Sequence, residues 1–318
     1  MGYKRIFTTL SAAGLVAVSS HAAAGWMDWF GGDEPSISFA PAVNYSTGTT
    51  GGPGPAAESM VAADMDNDGD MDVVSADWWG SGVPVMLNNG DGTFGDPVFN
   101  DLGSAAGVGS VSVGDYNNDG NMDVAATGGT NLYILHGQGN GQLSIAQTLP
   151  YIPGGQYQGY SIDANMDGKL DIVAPSLGGI KVYLNQGSSF VEGPTSSITG
   201  IISAAVALDF NQDGITDLAL SDGLTSHVIL MRGNGDATFE ETSRTLVGFI
   251  PEDVTAGDLN GDGYDDLVAS DSFSFTVSVV LSDGAGGYKR AKRYLGTAGP
   301  VSARLADLDL DGDLDIVV

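Results

Sequence analysis

The sequence predicts an all-β protein, a β-propeller of four-stranded blades. The chain of 318 residues contains 48 glycines but only 16% charged residues, a composition typical of turn-rich β proteins. An aspartate-rich motif recurs six times at intervals of 46–51 residues. Each interval holds short apolar runs separated by Gly, Asn and Asp turns, which is the spacing of a four-stranded blade. A right-handed β-solenoid is the competing repeat fold, but its coils are shorter than this period.

The N-terminus has the pattern of a secretory signal peptide. Lys4 and Arg5 precede an apolar run at residues 6–20, and an Ala-x-Ala cleavage pattern follows. A membrane anchor is less compatible with this run, which is short and rich in Ser, Thr and Ala. No other segment approaches the length of a membrane span. We therefore expect a signal peptide at 1–24, a linker at 25–37, and export to the extracellular space or the periplasm.

Composition also excludes several classes of function. Forty acidic residues against 11 basic ones give a net charge of −29, which argues against binding nucleic acid or an anionic membrane. Without cysteine, neither disulfides nor thiolate metal sites can form. No G-x-S-x-G motif or phosphate loop is present, and His136 and His227 lie beside strand-like runs, where a structural role is expected. A pair of carboxylates for glycoside chemistry stays open, because such residues are rarely adjacent in sequence.

The repeated motif has the residues of a cation-binding loop. Every copy has Asp at position 1, Asp or Asn at 3, Asp at 5, Gly at 6 and Asp at 9. Two unit charges about 4 Å apart repel by about 1 kcal/mol in water and about 4 kcal/mol near a protein surface, so such crowding favours a bound cation. Position 7 can offer a carbonyl oxygen, and Gly at 6 permits the tight turn. The copies span 64–72, 115–123, 163–171, 209–217, 258–266 and 307–315.

Hard oxygen ligands in this number suit Ca²⁺, and we expect up to six ions. Position 12 carries no carboxylate, which excludes an EF-hand. A single loop of this kind could be an Asx-rich turn without metal, but six copies in register favour calcium. The predicted ligands are Asp64, Asp66, Asp68, Asp70, Asp72, Asp115, Asn117, Asp119, Asn121, Asp123, Asp163, Asn165, Asp167, Lys169, Asp171, Asp209, Asn211, Asp213, Ile215, Asp217, Asp258, Asn260, Asp262, Tyr264, Asp266, Asp307, Asp309, Asp311, Asp313 and Asp315.

The D-x-[DN]-x-D-G-x-x-D loops, each followed by an apolar strand, resemble FG-GAP/VCBS repeats, which also build the N-terminal propeller of integrin α subunits. A second repeated mark is an aromatic residue, once a leucine, after a Gly- or Ser-containing turn. The resemblance covers residues 38–318 and implies seven blades, calcium between the first two strands of a blade, and a role in cell adhesion or ligand recognition. The literal signature is approached only by TFGDP at 93–97, which favours the shorter bacterial type of repeat. The second marks are Phe39, Phe94, Leu143, Phe190, Phe239 and Tyr288.

The two ends of the repeat region are expected to be incomplete. After Asp315 only three residues remain, whereas the next aromatic mark elsewhere comes 19–22 residues after position 9. The segment 36–46 supplies a fourth strand that precedes the first complete blade. We therefore expect at least six blades, closure by an N-terminal strand, and truncation of the propeller at its C-terminus.

A ligand site is predicted on the face opposite the calcium loops, where aromatic residues gather. These residues can stack on sugar rings or on a partner loop; packing between blades is the alternative. The sequence thus predicts a non-enzymatic, monomeric module that recognises a glycan or protein ligand, and a carbohydrate-active enzyme such as a polysaccharide lyase is the alternative. A purely structural module of a larger exported protein is the third possibility. The candidate ligand-binding residues are Trp78, Trp79, Tyr151 and Tyr157.

Overall fold

The computed structural model describes residues 6–7, 43, 45, 57–77, 80–103, 107–153, 159–176, 178–296 and 299–318. All the regular secondary structure in these segments is β-strand, and none of it is a helix able to cross a membrane. The strands form five antiparallel four-stranded sheets and one smaller sheet. The predicted all-β propeller is therefore confirmed for five complete blades.

In each complete blade the four strands follow one another in chain order across the sheet. Blade 1 contains β2 (Ala57–Ala63), β3 (Asp72–Asp77), β4 (Gly82–Met86) and β5 (Val98–Asp101). Blade 2 contains β6 (Val108–Gly114), β7 (Asp123–Gly128), β8 (Asn131–Gly137) and β9 (Leu143–Pro150). Blade 3 contains β10 (Tyr160–Ile162), β11 (Asp171–Ser176), β12 (Gly179–Asn185) and β13 (Phe190–Ser197). Blade 4 contains β14 (Ile202–Leu208), β15 (Asp217–Asp222), β16 (His227–Gly233) and β17 (Phe239–Leu246). Blade 5 contains β18 (Pro251–Gly257), β19 (Asp266–Asp271), β20 (Thr276–Val280) and β21 (Lys292–Leu295).

The sixth sheet differs from the five blades. Strands β22 (Arg304–Ala306) and β23 (Asp315–Val317) pair antiparallel, as the first two strands of a blade do. Strand β1 (Ile6–Phe7) lies parallel to β23 on its other side. The described residues thus give no four-stranded sixth blade. The predicted closing strand at 36–46 lies outside the described residues except for positions 43 and 45.

The hydrophobic core lies between neighbouring blades, because the second and third strands are covered on both faces. Strands β7, β15 and β19 are buried at every position, and small or branched side chains therefore fill them. One cluster joins blades 1 and 2, and others join blades 3 with 4 and 4 with 5. The fourth strands are largely exposed and form the outer rim.

The first strands of all six sheets surround one axial cavity. Its volume is about 370 Å³, and apolar residues and small hydroxyl residues line most of it. A shared axis of this kind is the arrangement expected of a propeller. One lining residue from each sheet in order is Val61, Val111, Ser161, Val206, Thr255 and Arg304.

Side chains on the outer strands of blades 1, 2 and 3 connect each of these blades to the next. On the next blade, each of these side chains bonds to the backbone of the first residue of the fourth strand. That residue is the aromatic or leucine of the second repeated mark. Asn100 Oδ1 accepts from Leu143 N at 2.8 Å. Gln147 accepts from Phe190 N at 2.7 Å and donates to Phe190 O at 2.8 Å. Between blades 3 and 4, Ser196 Oγ accepts from Phe239 N at 2.8 Å.

Candidate calcium-binding loops

The six aspartate-rich loops all connect the first strand of a sheet to the second, and they lie on one face of the propeller. Position 9 is in every case the first residue of the second strand. The loop is therefore fixed at both ends by the sheet, and its side chains at 1, 3 and 5 are held in a compact turn. The residues at position 9 are Asp72, Asp123, Asp171, Asp217, Asp266 and Asp315.

The carboxylate at position 1 organises the turn. In the third loop, Asp163 Oδ1 accepts from Asp167 N at 3.0 Å and Asp163 Oδ2 accepts from Gly168 N at 2.8 Å. Asp167 Oδ1 in turn accepts from the N–H of Lys169 at position 7. The other five loops repeat these hydrogen bonds with distances of 2.8–3.2 Å. The repeated Asp residues at 1 and 5 thus have a structural use before any ion is considered.

The residues at positions 4 and 6 of the turn both have left-handed backbone. The glycines at position 6 have φ between 82° and 95°, and no atom lies within 4 Å of the place a Cβ would take. Glycine is therefore required there by conformation and not by space. Position 4 is also left-handed, a feature that the sequence signals only through Asn in the first two loops. The non-glycine residues at position 4, with φ of 57–62°, are Asn67, Asn118, Met166, Gln212 and Leu310.

The carboxylate at position 9 ties the loop to the third strand. Asp171 Oδ2 accepts from Ala164 N at 3.2 Å within the loop, and Asp171 Oδ1 accepts from Asn185 N at 2.8 Å at the end of β12. The Oδ1 bond to the third-strand side recurs in blades 1, 2, 4 and 5 at 2.8–2.9 Å. Burial raises the pKa of the Asp171 carboxyl, and it raises the pKa of Asp217 to about 6. A buried negative charge of this kind is stabilised by a nearby cation.

The first and sixth loops bring three carboxylates together. In the first, one oxygen each of Asp64, Asp66 and Asp72 lies within 4.8 Å of the others. Asp66 Oδ1 is buried and has no hydrogen-bond partner among the described residues. Burial, followed by the charge of Asp68, raises the pKa of the Asp66 carboxyl. Hard anionic oxygens with one unpartnered buried member fit Ca²⁺. The equivalent group in the sixth loop is Asp307, Asp309 and Asp315.

The loops with Asn at position 3 differ in detail. In the second, third and fourth loops the Asn side-chain oxygen accepts from the N–H at position 5, at 2.8–3.0 Å. In the fifth loop Asn260 Nδ2 donates to Asp266 Oδ2 at 2.9 Å. In the third loop Lys169 Nζ forms a salt bridge with Asp167 Oδ2 at 2.9 Å. Because Lys169 supplies positive charge where an ion would bind, the third loop is the weakest candidate of the six.

The predicted ligand-binding aromatics are placed only in part. Trp78, Trp79 and Tyr157 lie outside the described residues. Tyr151 is 2% exposed, and its hydroxyl donates to Pro175 O at 2.6 Å. Its ring belongs to the apolar cluster between blades 2 and 3, which is the packing alternative, so its ring is not presented to a ligand.

The repeat pattern and the loop geometry agree with a comparison against protein families. The FG-GAP-like repeat model matches five overlapping segments, at residues 64–126, 117–174, 163–220, 209–269 and 258–318. The chain belongs to the FG-GAP-like repeat family. The predicted resemblance is thereby confirmed, and each matched segment runs from one aspartate-rich loop into the next. No curated protein matches this FG-GAP chain.

Solved structures share the fold of the FG-GAP chain at low sequence identity. An Agrocybe aegerita lectin, described as recognising non-reducing terminal N-acetylglucosamine, has a TM-score of 0.57 and 21% identity, over 82% of this chain and 74% of that chain. A periplasmic gluconolactonase of Pseudomonas aeruginosa has a TM-score of 0.58 and 16% identity, over 83% and 74%. A putative 6-phosphogluconolactonase of Bacteroides uniformis has a TM-score of 0.58 and 14% identity, over 76% and 71%. At these sequence identities the similarity shows the fold alone.

Proposed function

We propose that this FG-GAP chain is an exported, calcium-stabilised propeller that recognises a glycan or protein ligand without catalysing a reaction. The observation that carries the calcium part is the convergence of Asp64, Asp66 and Asp72 around a buried carboxylate oxygen with no described partner. Calcium held in such loops is structural, since extracellular modules bind it at about 10⁻⁴–10⁻³ M, near its concentration outside cells. The ions would fix the loop face and leave the opposite face for the ligand.

Calcium binding is tested with Asp66→Asn and with Asp96→Asn as the matched control, since Asp96 is exposed and outside the loops. Isothermal titration should give up to six sites for the unchanged chain. Asp66→Asn should lose or weaken one of them, because it removes the charge of a carboxylate whose buried Oδ1 has no other partner among the described residues. Asp96→Asn should titrate like the unchanged protein. A chain that takes up no calcium, with a melting temperature unaffected by chelator, contradicts the proposal.

Recognition is tested on an array of glycans and polysaccharides, with calcium and again with chelator. A lectin shares the fold, and the sequence places Trp78 and Trp79 in a turn where stacking on a sugar is plausible chemistry. Binding that disappears with chelator, and that is reduced in a Trp78→Ala/Trp79→Ala variant, supports a glycan ligand. Failure to bind any glycan in calcium, while the chain still melts cooperatively, points to a protein ligand.

Enzymatic activity is the second candidate. Two gluconolactonase-type structures share the fold, and carboxylates are plentiful. The array separates the two functions, because an enzyme of this class would release products from a bound polysaccharide or open a sugar lactone. Calcium-dependent binding without product formation favours the recognition module. Product formation that is lost with an acidic residue outside the six loops favours the enzyme.

Export and size are also proposals. Cleavage after the signal peptide at 1–24 would remove β1 from the sixth sheet and would be seen as a mature N-terminus at Gly25. We further propose that β22 and β23 begin a sixth blade of a seven-bladed propeller, and that the protein is a monomer. Light scattering tests the monomer, and six bound calcium ions per chain would support a sixth loop that is formed like those of the five complete blades.

A further inference from the structure

One short segment concentrates the positive charge of this acidic chain. Four of the 11 basic residues fall within residues 289–293, and all four are exposed. They occupy the lead-in and the first half of β21, the outermost strand of blade 5. Along an extended segment they span about 14 Å, with successive side chains alternating between the two sides of the sheet edge. This basic strip consists of Lys289, Arg290, Lys292 and Arg293.

The other basic residues from Lys169 onward are held in salt bridges, with Asp167, Glu192, Glu240, Asp222 and Glu241, and Asp253. Among the described residues, Lys289, Arg290 and Arg293 form no salt bridge. Arg293 instead donates a hydrogen bond to the backbone oxygen of Val247. Lys289 and Arg290 therefore present charge that no described carboxylate neutralises.

Basic residues on an edge strand can serve merely to prevent aggregation. The other four outermost strands show that this chain does not use that device generally. Strands β5, β9 and β13 carry no basic residue, and β17 carries only Arg244, which is paired with Glu241. The basic strip is thus particular to blade 5, although all five edges face the same risk.

We propose that the basic strip binds an anionic polysaccharide, one that carries carboxylate or sulfate groups along a single chain. Tyr294 lies next to the strip, with Lys292 Nζ over its ring, 4.9 Å from the ring centroid, so a cation and an aromatic ring lie together. That pair suits a sugar with an acidic substituent. The inference rests on the recognition function proposed above and names a ligand class for it, at a second surface.

The negative charge of the rest of the chain favours a thin, single-chain ligand over an extended anionic surface. Without the four basic residues the net charge would fall from −29 to −33, so an extended anionic surface such as a membrane would be repelled by the rest of the protein. Screening limits electrostatic forces to about 8 Å at physiological salt, and a single polysaccharide chain lying along β21 can stay within that range of the cations alone.

The test compares two variants that remove the same charge. Lys289→Gln/Arg290→Gln removes two cations from the strip, and Lys181→Gln/Arg232→Gln removes two from salt bridges on blades 3 and 4. Binding is measured for a short oligogalacturonate and for dextran sulfate, with dextran and vesicles of anionic phospholipid as comparisons. Melting curves in calcium confirm that both variants are folded.

We expect the unchanged protein to bind at least one of the two anionic sugars, more weakly as salt is added, and not to bind dextran. The strip variant should lose about tenfold or more in affinity, and the control variant about twofold or less. Whether oligogalacturonate or dextran sulfate binds tells carboxylate from sulfate. Three results would each overturn the inference. They are equal losses of sugar affinity in the strip and control variants, no binding of either anionic sugar, and tighter binding of the anionic vesicles than of the sugars. If neither anionic sugar binds but calcium still raises the melting temperature, the basic-strip inference is wrong and the calcium proposal is unaffected. If calcium does not raise the melting temperature, the calcium proposal is contradicted and the basic-strip inference is unaffected.

Discussion

At the scale of single residues, the aspartate-rich loop depends on two left-handed corners. Position 6 is glycine in all six loops, whereas position 4 ranges from Asn67 and Asn118 to Met166 and Leu310. Left-handed backbone costs an ordinary L-residue about 1–2 kcal/mol, and Asn tolerates it better because its short polar side chain bonds locally. The loops with Met or Leu at position 4 therefore carry strain that the first two loops avoid.

Replacing Met166 by Asn should relieve that strain. Met166→Asn is expected to increase the free energy of unfolding by about 0.5–1 kcal/mol, measured by urea denaturation in calcium. Met71→Asn is the control, since both methionines are 60% exposed but Met71 is not left-handed. A gain of equal size in both variants would mean that the backbone conformation is not the cause.

Burial raises the pKa of the position-9 carboxyls of the second to fifth loops, which gives the metal-free protein a distinctive pH dependence. The pKa of Asp217 is raised to about 6, above the value of about 4 for an unfolded aspartate. Between about pH 4 and pH 6 the folded state binds a proton that the unfolded state does not. The free energy of unfolding therefore rises as the pH falls from 7 towards 4. Carboxyls with a lowered pKa, such as Asp167 and Asp258, oppose this only below about pH 4.

We therefore expect the chelated protein to melt at a higher temperature at pH 5 than at pH 7. Saturating calcium should remove this gain, because the ion needs ionised carboxylates. Asp217→Asn should reduce the gain in the chelated protein. A melting temperature that falls steadily from pH 7 to pH 5 without calcium would show that the buried carboxyls at position 9 do not dominate.

At the scale of elements, blades are joined both by apolar packing and by hydrogen bonds between outer strands. The reciprocal pair between the Gln147 amide and the Phe190 backbone links β9 to β13. The residues at the second repeated mark are therefore fixed through their backbone as well as through their rings. A leucine at position 143 is compatible with this role, because its N–H makes the same kind of bond to Asn100.

Gln147→Ala should leave both backbone groups of Phe190 without their partner. We expect the free energy of unfolding to fall by about 1–3 kcal/mol. Gln142→Ala, at an exposed glutamine near the start of the same strand, should change it by less than about 0.5 kcal/mol. Thermal or urea unfolding measures both, and similar losses would exclude a specific contribution from the interblade pair.

The blade period and the loop positions could be predicted because the loop motif repeats six times at similar intervals of 46–51 residues. Glycine at position 6 and Asp at position 9 are local requirements of a turn and a strand start, and local requirements are visible in sequence. The bonds from Asn100, Gln147 and Ser196 to the next blade could not be predicted, because the side chains differ and their partners are 43 residues away. The burial of Tyr151 likewise depends on the neighbouring blade.

At the scale of the whole molecule, calcium on one face should set the stability of the propeller. A loop with a dissociation constant of about 10⁻⁴ M gains about 1.8 kcal/mol in about 2 mM calcium, if only the folded state binds. Several loops that unfold together would add these gains. The six loops are spread around the axis, so every sheet would share the effect.

Calcium should therefore raise the melting temperature by many degrees in one cooperative transition. Calorimetry with and without chelator measures the shift, and magnesium at the same concentration is the control, since its stricter octahedral geometry fits these loops less well. Two separate transitions in calcium, or an equal shift with magnesium, would contradict a shared calcium-specific stabilisation.

The aspartate at position 9 belongs both to the candidate metal site and to the contact between the loop and the third strand, two roles that the sequence shows as one motif. Its bonds join the loop to the third strand without any ion. A repeat could then lose its oxygen at position 3 and so weaken a metal site, while position 1 keeps the turn and position 9 keeps the contact with the third strand. Under the calcium proposal, the metal demand of each blade could in this way be lowered separately, by natural mutation or by design, without rebuilding the core of the propeller.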